Sequence, residues 1–263
     1  MCYETLADAP LLIVALVAAA FVPPLVYVYI VRNTERVNRE PWTGLISTFI
    51  WGATFAIFIS IFLESLAMAV LYNELSPFAR GFWNFEPYDP VLETFLLAVI
   101  LAPLVEESAK AWGVPRRNIL EPEDGMIYGA AVGLGFAATE NMLYLFSALT
   151  ESVESFVATA VLRAVTSTLL HASATAVAGY GISRAIFFRK QGARESWLPY
   201  LALAMLIHAL FNLFASLGDL VQTEEQVAFA LIGLLLASSL ALGAFLVIRG
   251  RIRALDALYP RTG

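Results

Sequence analysis

Seven stretches of about 20 residues, each free or nearly free of charge, recur along the chain at roughly 9–31, 43–65, 92–113, 125–149, 155–183, 197–218 and 226–248. That length is what an α-helix needs to cross ~30 Å of hydrocarbon. The pattern predicts an all-α, polytopic membrane bundle of about seven transmembrane helices. The connections are too short to hold a separate soluble domain, so residues 1–263 read as a single membrane-embedded domain. Its chemistry is expected within about 92–218. The longest connection, about residues 73–91, has the Pro and aromatic content of an interfacial loop. No internal repeat is visible, which weakens the inverted-repeat architecture of many transporters.

Composition agrees with the pattern. Of 263 residues, 59% are hydrophobic and 14% charged, and the mean hydropathy is +0.73, far outside the soluble range. The single cysteine, Cys2, excludes an intramolecular disulfide and any Cys-rich metal site. No Lys or Arg precedes the first apolar run, so that run reads as a retained span and not a cleaved signal peptide. Thirteen of the 16 basic residues fall in alternate connections: Arg32, Arg36 and Arg39; Arg116 and Arg117; Arg184, Arg189, Lys190 and Arg194; Arg249, Arg251, Arg253 and Arg261. The opposite connections hold only Arg80 and are otherwise acidic. By the positive-inside rule the N-terminus is outside and the C-terminus cytoplasmic, in a multi-pass protein of the cell membrane. There is no Gly-rich phosphate loop and no nucleic-acid partner is expected; the partners are the lipid bilayer and whatever the bundle interior accepts. The oligomeric state is not legible.

The exceptions to the apolar pattern carry the chemistry. Charged groups at mid-bilayer cost a few kcal/mol each, so they face a bundle interior or a hydrated cavity. Span three carries Glu106, Glu107 and Lys110; span four, Glu140 and Asn141; span five, His171; span six, His208 and Asn212. These are the only two histidines of the chain. Lys110 lies three residues from Glu107 and four from Glu106, so its ammonium reaches either carboxylate on one face. One cation cannot neutralise two acids. The remaining carboxylate takes up a proton or faces a cation from elsewhere, and either state suits a general base.

His208 and Asn212 project from one side of span six, where an imidazole and an amide could serve an oxyanion or a metal-bound water. Ser167, Thr168 and Thr175 place a polar stripe beside His171. Gly125, Gly129, Gly133 and Ala137 form a small-residue ridge on span four that lets a neighbouring helix approach closely, with Glu140 nearly on the same face. Taken singly, His171 or Asn212 reads equally well as glue between helices; for the Glu-Glu-Lys set an interfacial ion pair is the weaker alternative. Arg163 and Glu64, near the outer ends of their spans, read as snorkelling or structural residues. What favours a shared site is that the buried ionisable groups of spans three to six fall at compatible depths.

At these residues the chain resembles the PrsW protease family, membrane-embedded peptidases related to the CAAX-prenyl endopeptidases and ABI proteins. The family pattern appears here as Glu106-Glu107-Ser-Ala-Lys110, Phe136-Ala-Ala-Thr-Glu140-Asn141, His171 and His208-Ala-Leu-Phe-Asn212. The segment VYVYIVRNTERVNREP is similar to the family's Arg/Glu-Pro segment, so the likeness runs from about residue 23 to 215. The resemblance implies an intramembrane endopeptidase that hydrolyses a peptide bond of a membrane-anchored protein, such as an anti-sigma factor. It makes Glu106 the base that activates water, Glu107 and Lys110 its orienting partners, and His208 with Asn212 the oxyanion donors. The chain departs from the CAAX pattern at Lys110, where those enzymes carry an arginine one residue later, and at Glu140, where they have a histidine. A prenylated substrate is therefore not assumed. Glu140, His171 and His208 would make a zinc set, yet there is no His-Glu-x-x-His helix, and a metal-free glutamate mechanism is the favoured reading. A non-catalytic scaffold for partner helices and a proton-coupled transporter are the other classes that fit intramembrane Glu and His.

Overall fold

The computed structural model describes residues 9–70, 91–92, 95–115, 119–221 and 224–259, and among these it is helical with no strand. The helices are α1 (Ala9–Arg32), α2 (Trp42–Trp51), α3 (Ile57–Val70), α4 (Ala102–Gly113), α5 (Asp124–Glu151), α6 (Val153–Val165), α7 (Ser167–Lys190), α8 (Leu198–Ala215), the short α9 (Leu217–Leu220) and α10 (Gln226–Leu258). A π-helical turn, Gly52–Ala56, joins α2 to α3, and another, Phe95–Leu101, leads into α4. The expected outer connection at 73–91, with Arg80, lies almost wholly outside the described residues, as do Arg116, Arg117 and Arg261.

Six helical stretches are long and apolar enough to cross a membrane: Pro10–Arg32, Trp42–Val70, Asp124–Glu151, Val153–Lys190, Leu198–Ala215 and Gln226–Leu258. The protein is a multi-pass membrane protein. The expected third span is also helical over its described residues from Phe95 on, but Glu106, Glu107 and Lys110 sit in its last 12 residues and lower its apolarity. All three residues are buried away from lipid, Lys110 and Glu107 completely, and their charge is tolerated because Lys110 pairs with both carboxylates.

The expected fifth span, 155–183, is not one helix. At Val153–Lys190 the 38 residues would stretch about 57 Å as a single rod, well beyond one bilayer crossing. The chain breaks at Thr166, whose φ of −119° and ψ of −83° leave the helical region. α6, before the break, has no buried residue, while α7, after it, is buried along most of its length. The break therefore separates a lipid-facing helix from a core helix, and it leaves Arg163 one turn before the core begins.

α5 is the central post, buried along nearly its whole first two-thirds and packed against α7, α1 and α2. Glycine makes this possible. A Cβ at Gly129 would meet the Thr175 carbonyl and one at Gly133 the His171 carbonyl, while Gly125 and Gly179 face each other's backbone. This is the ridge expected from the sequence. On its other side α5 does the same to α2: a Cβ on Gly52 would meet the Val132 carbonyl, and one on Gly135 the Phe49 carbonyl. The outward faces bear Leu11, Ile13, Phe58, Phe62, Val227 and Leu235, whose exposure is what lipid requires.

Replacing Gly133 by Ala forces α5 and α7 apart and is expected to destabilise the protein by about 1–3 kcal/mol. Gly243→Ala, where an added Cβ meets nothing within 4 Å, is expected to be neutral or stabilising by about 0.5–1 kcal/mol. Unfolding in detergent of the two variants side by side checks the contrast.

Candidate active site

The site is built outward from Lys110, on the last turn of α4. Its Nζ donates to Glu106 Oε2 at 2.9 Å, to Glu107 Oε1 at 2.9 Å and meets His171 Nδ1 at 2.9 Å. The first two acceptors follow from the i−4 and i−3 spacing; the third comes across from α7. The ammonium also stands 3.9 Å from the centroid of the Phe136 ring, a cation–π contact that closes its fourth side. An ammonium only donates, so His171 Nδ1 is the acceptor and the ring proton sits on Nε2. That Nε2 donates to Glu140 Oε2 at 2.9 Å.

Glu107 is the anchor of the pair. Its Oε1 also meets His208 Nδ1 at 3.0 Å, its Oε2 accepts from Thr175 Oγ1 at 3.0 Å, and its side chain has no exposed surface. Glu106 differs. Its side chain keeps 9% exposure, Oε2 is held by Lys110, and Oε1 takes no hydrogen bond from any described residue. Two neighbouring carboxylates are thus sorted into one that is fixed and one that is open. His208, donating from Nδ1 to the Glu107 carboxylate, turns its Nε2 toward Glu106 Oε2, 3.9 Å away. The two imidazoles meet edge to face with centroids 5.0 Å apart.

Sequence comparison gives the family. A family model described as "PrsW family intramembrane metalloprotease" matches residues 40–242. The chain is 31% identical over 198 residues to a protein of Clostridioides difficile (strain 630) named Protease PrsW, covering 73% of this chain and 74% of that one. The chain belongs to the PrsW family of intramembrane metalloproteases. Proteins of the same name from Geobacillus kaustophilus (strain HTA426) and Bacillus subtilis (strain 168) are 33% identical over 124 residues and 32% over 126. These alignments cover 47% and 45% of this chain, and 52% and 54% of the relatives. No solved structure matches the chain significantly. PrsW membership makes the protein a membrane-embedded peptidase and removes the scaffold and transporter alternatives.

Glu106, Glu107, Lys110, Glu140, His171 and His208 come together in this PrsW chain as one hydrogen-bonded cluster. Asn141 lies at its edge, donating to Thr168 Oγ1 at 3.0 Å. Asn212 does not join it: its Nδ2 donates to the Ala98 carbonyl at 2.7 Å, in the π-helical turn before α4. The expected zinc set also changes. The donor atoms that converge, all within 4.8 Å of one another, belong to Glu106, His171 and His208. Glu140 is replaced by Glu106 because its own carboxylate is claimed by Arg163.

Arg163, set aside on the sequence as snorkelling, is a member of the cluster. Its guanidinium pairs with Glu140, donates through Nε to Asn141 Oδ1 at 2.7 Å and through NH2 to Ser167 Oγ at 3.0 Å, and lies 3.9 Å from the centroid of the Tyr144 ring. The signal for it was the charge count, since three carboxylates need more than Lys110. Glu64 was also set aside; its Oε1 is buried without a hydrogen-bond partner among the described residues, within electrostatic reach of Glu106, Lys110 and Glu140.

Removing the Lys110 ammonium leaves Glu106 and Glu107 facing each other in a buried core. Lys110→Met is expected to destabilise the protein by about 3–5 kcal/mol. Arg163→Met should cost less, because that pair keeps 15% and 18% side-chain exposure. Equilibrium unfolding in detergent reads both; a Lys110→Met chain as stable as the wild type would contradict the geometry.

Proposed function

We propose that this chain hydrolyses a peptide bond of a membrane-anchored protein, with water activated by the Glu106 carboxylate. The observation that carries this reading is the sorting of the Glu106–Glu107 pair: Glu107 has both oxygens bonded, whereas Glu106 has one oxygen unbonded at the exposed edge of the cluster. A general base must reach its water and keep its orientation. Lys110 fixes Glu106 through Oε2, and Oε1 is left to take the water's proton and pass it to the leaving amine. Glu107 holds Lys110 and His208 in place and has no oxygen left for chemistry.

The donor set fits a metal. Two imidazoles and a carboxylate are a zinc-type set, and Glu107 behind His208 supplies the carboxylate that fixes a metal-binding histidine. The charge fits too, because Glu106, Glu107 and Glu140 outnumber Lys110 and Arg163 three to two. Glu106, His171 and His208 would hold the ion, His171 only once Lys110 gives up its Nδ1, because Nε2 is directed to Glu140; when bound the ion would polarise the scissile carbonyl and acidify water. Family membership favours this branch over the metal-free one preferred on sequence. The same geometry argues against His208 as a neutral oxyanion donor, because its N–H is directed to Glu107. Arg163 holds Glu140, and Glu140 holds His171 Nε2, so both act by positioning.

The cell membrane, with the C-terminus cytoplasmic, is the proposed setting. The basic connections meet at one end of the bundle: Arg249 Nε bonds Thr34 Oγ1, Lys190 Nζ bonds the Ile119 carbonyl, and Arg251 bonds the Tyr180 hydroxyl. The substrate class, a single-span protein such as an anti-sigma factor, rests on the family likeness.

Glu106→Gln is expected to lower cleavage of a membrane-anchored reporter by about 10²–10⁴-fold while leaving the melting temperature near that of the wild type. Cleavage at the wild-type rate would remove Glu106 from the mechanism. A chelator such as 1,10-phenanthroline should suppress cleavage and added zinc restore it. Full activity in the metal-stripped enzyme would return the mechanism to glutamate alone.

A further inference from the structure

α7 ends in a turn that one glycine makes possible. Gly192 takes a φ of +85°, a left-handed conformation that costs glycine little, and its N–H and that of Ala193 donate to the carbonyls of Arg189 and Phe188 at 3.1 and 2.9 Å. The chain leaves the helix there and turns back. Glu195, three residues on, is held by Arg184 of α7 through two parallel hydrogen bonds, Nε to Oε2 at 2.8 Å and NH2 to Oε1 at 2.7 Å. α8 begins at Leu198 and meets α7 where Tyr200 covers Gly181.

These fixed points enclose a cavity of about 460 Å³, a volume in the range of small-ligand sites. Its lining is divided. Ile182 and Ile186 of α7 and the half-buried Trp197 give it an apolar side, while Arg189 before the turn and Arg194 after it give it a cationic one. Both arginines are exposed, and neither guanidinium bonds or pairs with any described residue. The acid of the lining, Glu195, is already answered by Arg184. Two positive charges are therefore left over. The cavity also lies at a membrane boundary, because α7 closes one apolar stretch of membrane-crossing length, Val153–Lys190, and α8 forms the next, Leu198–Ala215. Tryptophan and arginine both favour that boundary.

We propose that this cavity binds an anionic phospholipid, its phosphate paired with Arg189 and Arg194 and the start of its acyl chains laid on Ile182, Ile186 and Trp197. The planar fork of arginine matches phosphate oxygens, and two arginines flanking one turn can share them. An apolar wall beside a cationic one fits an amphiphile; a free phosphate would leave the isoleucines and Trp197 unused. Basic pockets at the ends of membrane helices recognise lipid headgroups on this principle. The bound lipid ties the α7–α8 turn to the membrane surface, at the end of the two helices that carry His171 and His208.

The full-length protein, stripped of lipid in detergent and titrated with phosphatidylglycerol or phosphatidylcholine under native mass spectrometry, tests this. The wild type is expected to bind phosphatidylglycerol at least about 10-fold more tightly than phosphatidylcholine. Arg189→Gln with Arg194→Gln should abolish that preference. Arg36→Gln with Arg253→Gln, which removes two exposed arginines away from the cavity, should keep it. All four side chains are exposed, so both double variants should melt as the wild type does. Equal binding of the two lipids by the wild type, a preference that survives the first pair of substitutions, or an equal loss with the second pair would overturn the proposal. Displacement of phosphatidylglycerol by millimolar inorganic phosphate would also overturn it, by assigning the arginines to a soluble anion. None of these readouts involves peptide cleavage, so the proposed hydrolysis and the lipid site stand or fall separately.

Discussion

The arrangement depends on one ammonium group. Lys110 is wholly buried in a membrane bundle and holds two carboxylates of its own helix and an imidazole acceptor, His171 Nδ1, from another. An isolated cation at that depth is disfavoured by several kcal/mol, and two carboxylates side by side repel. Together they are tolerated because each satisfies the other. The order of the cluster follows from this: Lys110 fixes the His171 tautomer, His171 fixes Glu140, and Glu107 fixes the His208 tautomer. Glu106 is the member left with an open oxygen.

Charge can be gathered only if backbones come close. Without side chains at Gly125, Gly129 and Gly133, α5 lies directly against α7, and Gly52 and Gly135 bring α2 equally close on the opposite side. Two π-helical turns border these helices: Gly52–Ala56 lies beside α5, and Phe95–Leu101 offers the Ala98 carbonyl to Asn212. Such turns recur near functional sites because they displace a side chain or free a carbonyl. Here they set α4 and α8 around the cluster.

The sequence showed what is local or periodic. Apolar runs of bilayer length foretold the helices, i, i+3 and i, i+4 spacing foretold that Lys110 would reach both glutamates, and the four-residue glycine repeat foretold the α5–α7 contact. Contacts that depend on a break or on a through-space choice were not legible. Arg163 joins Glu140 because the chain bends at Thr166, a residue whose sequence context gives no sign of a break. Glu106 displaces Glu140 from the candidate metal set because Arg163 claims Glu140, a competition that spacing does not express.

One lysine and one glutamate lock the chain's two histidines into opposite tautomers. Nitrogen NMR of the chelator-treated protein labelled with ¹⁵N only at histidine reads this directly, since His171 and His208 alone give signals. The expected spectrum shows two static rings, His171 protonated on Nε2 and His208 on Nδ1, with the His208 signal collapsing toward a tautomeric average in Glu107→Gln. Two rings sharing one tautomer, or both averaging freely in the wild type, would contradict it.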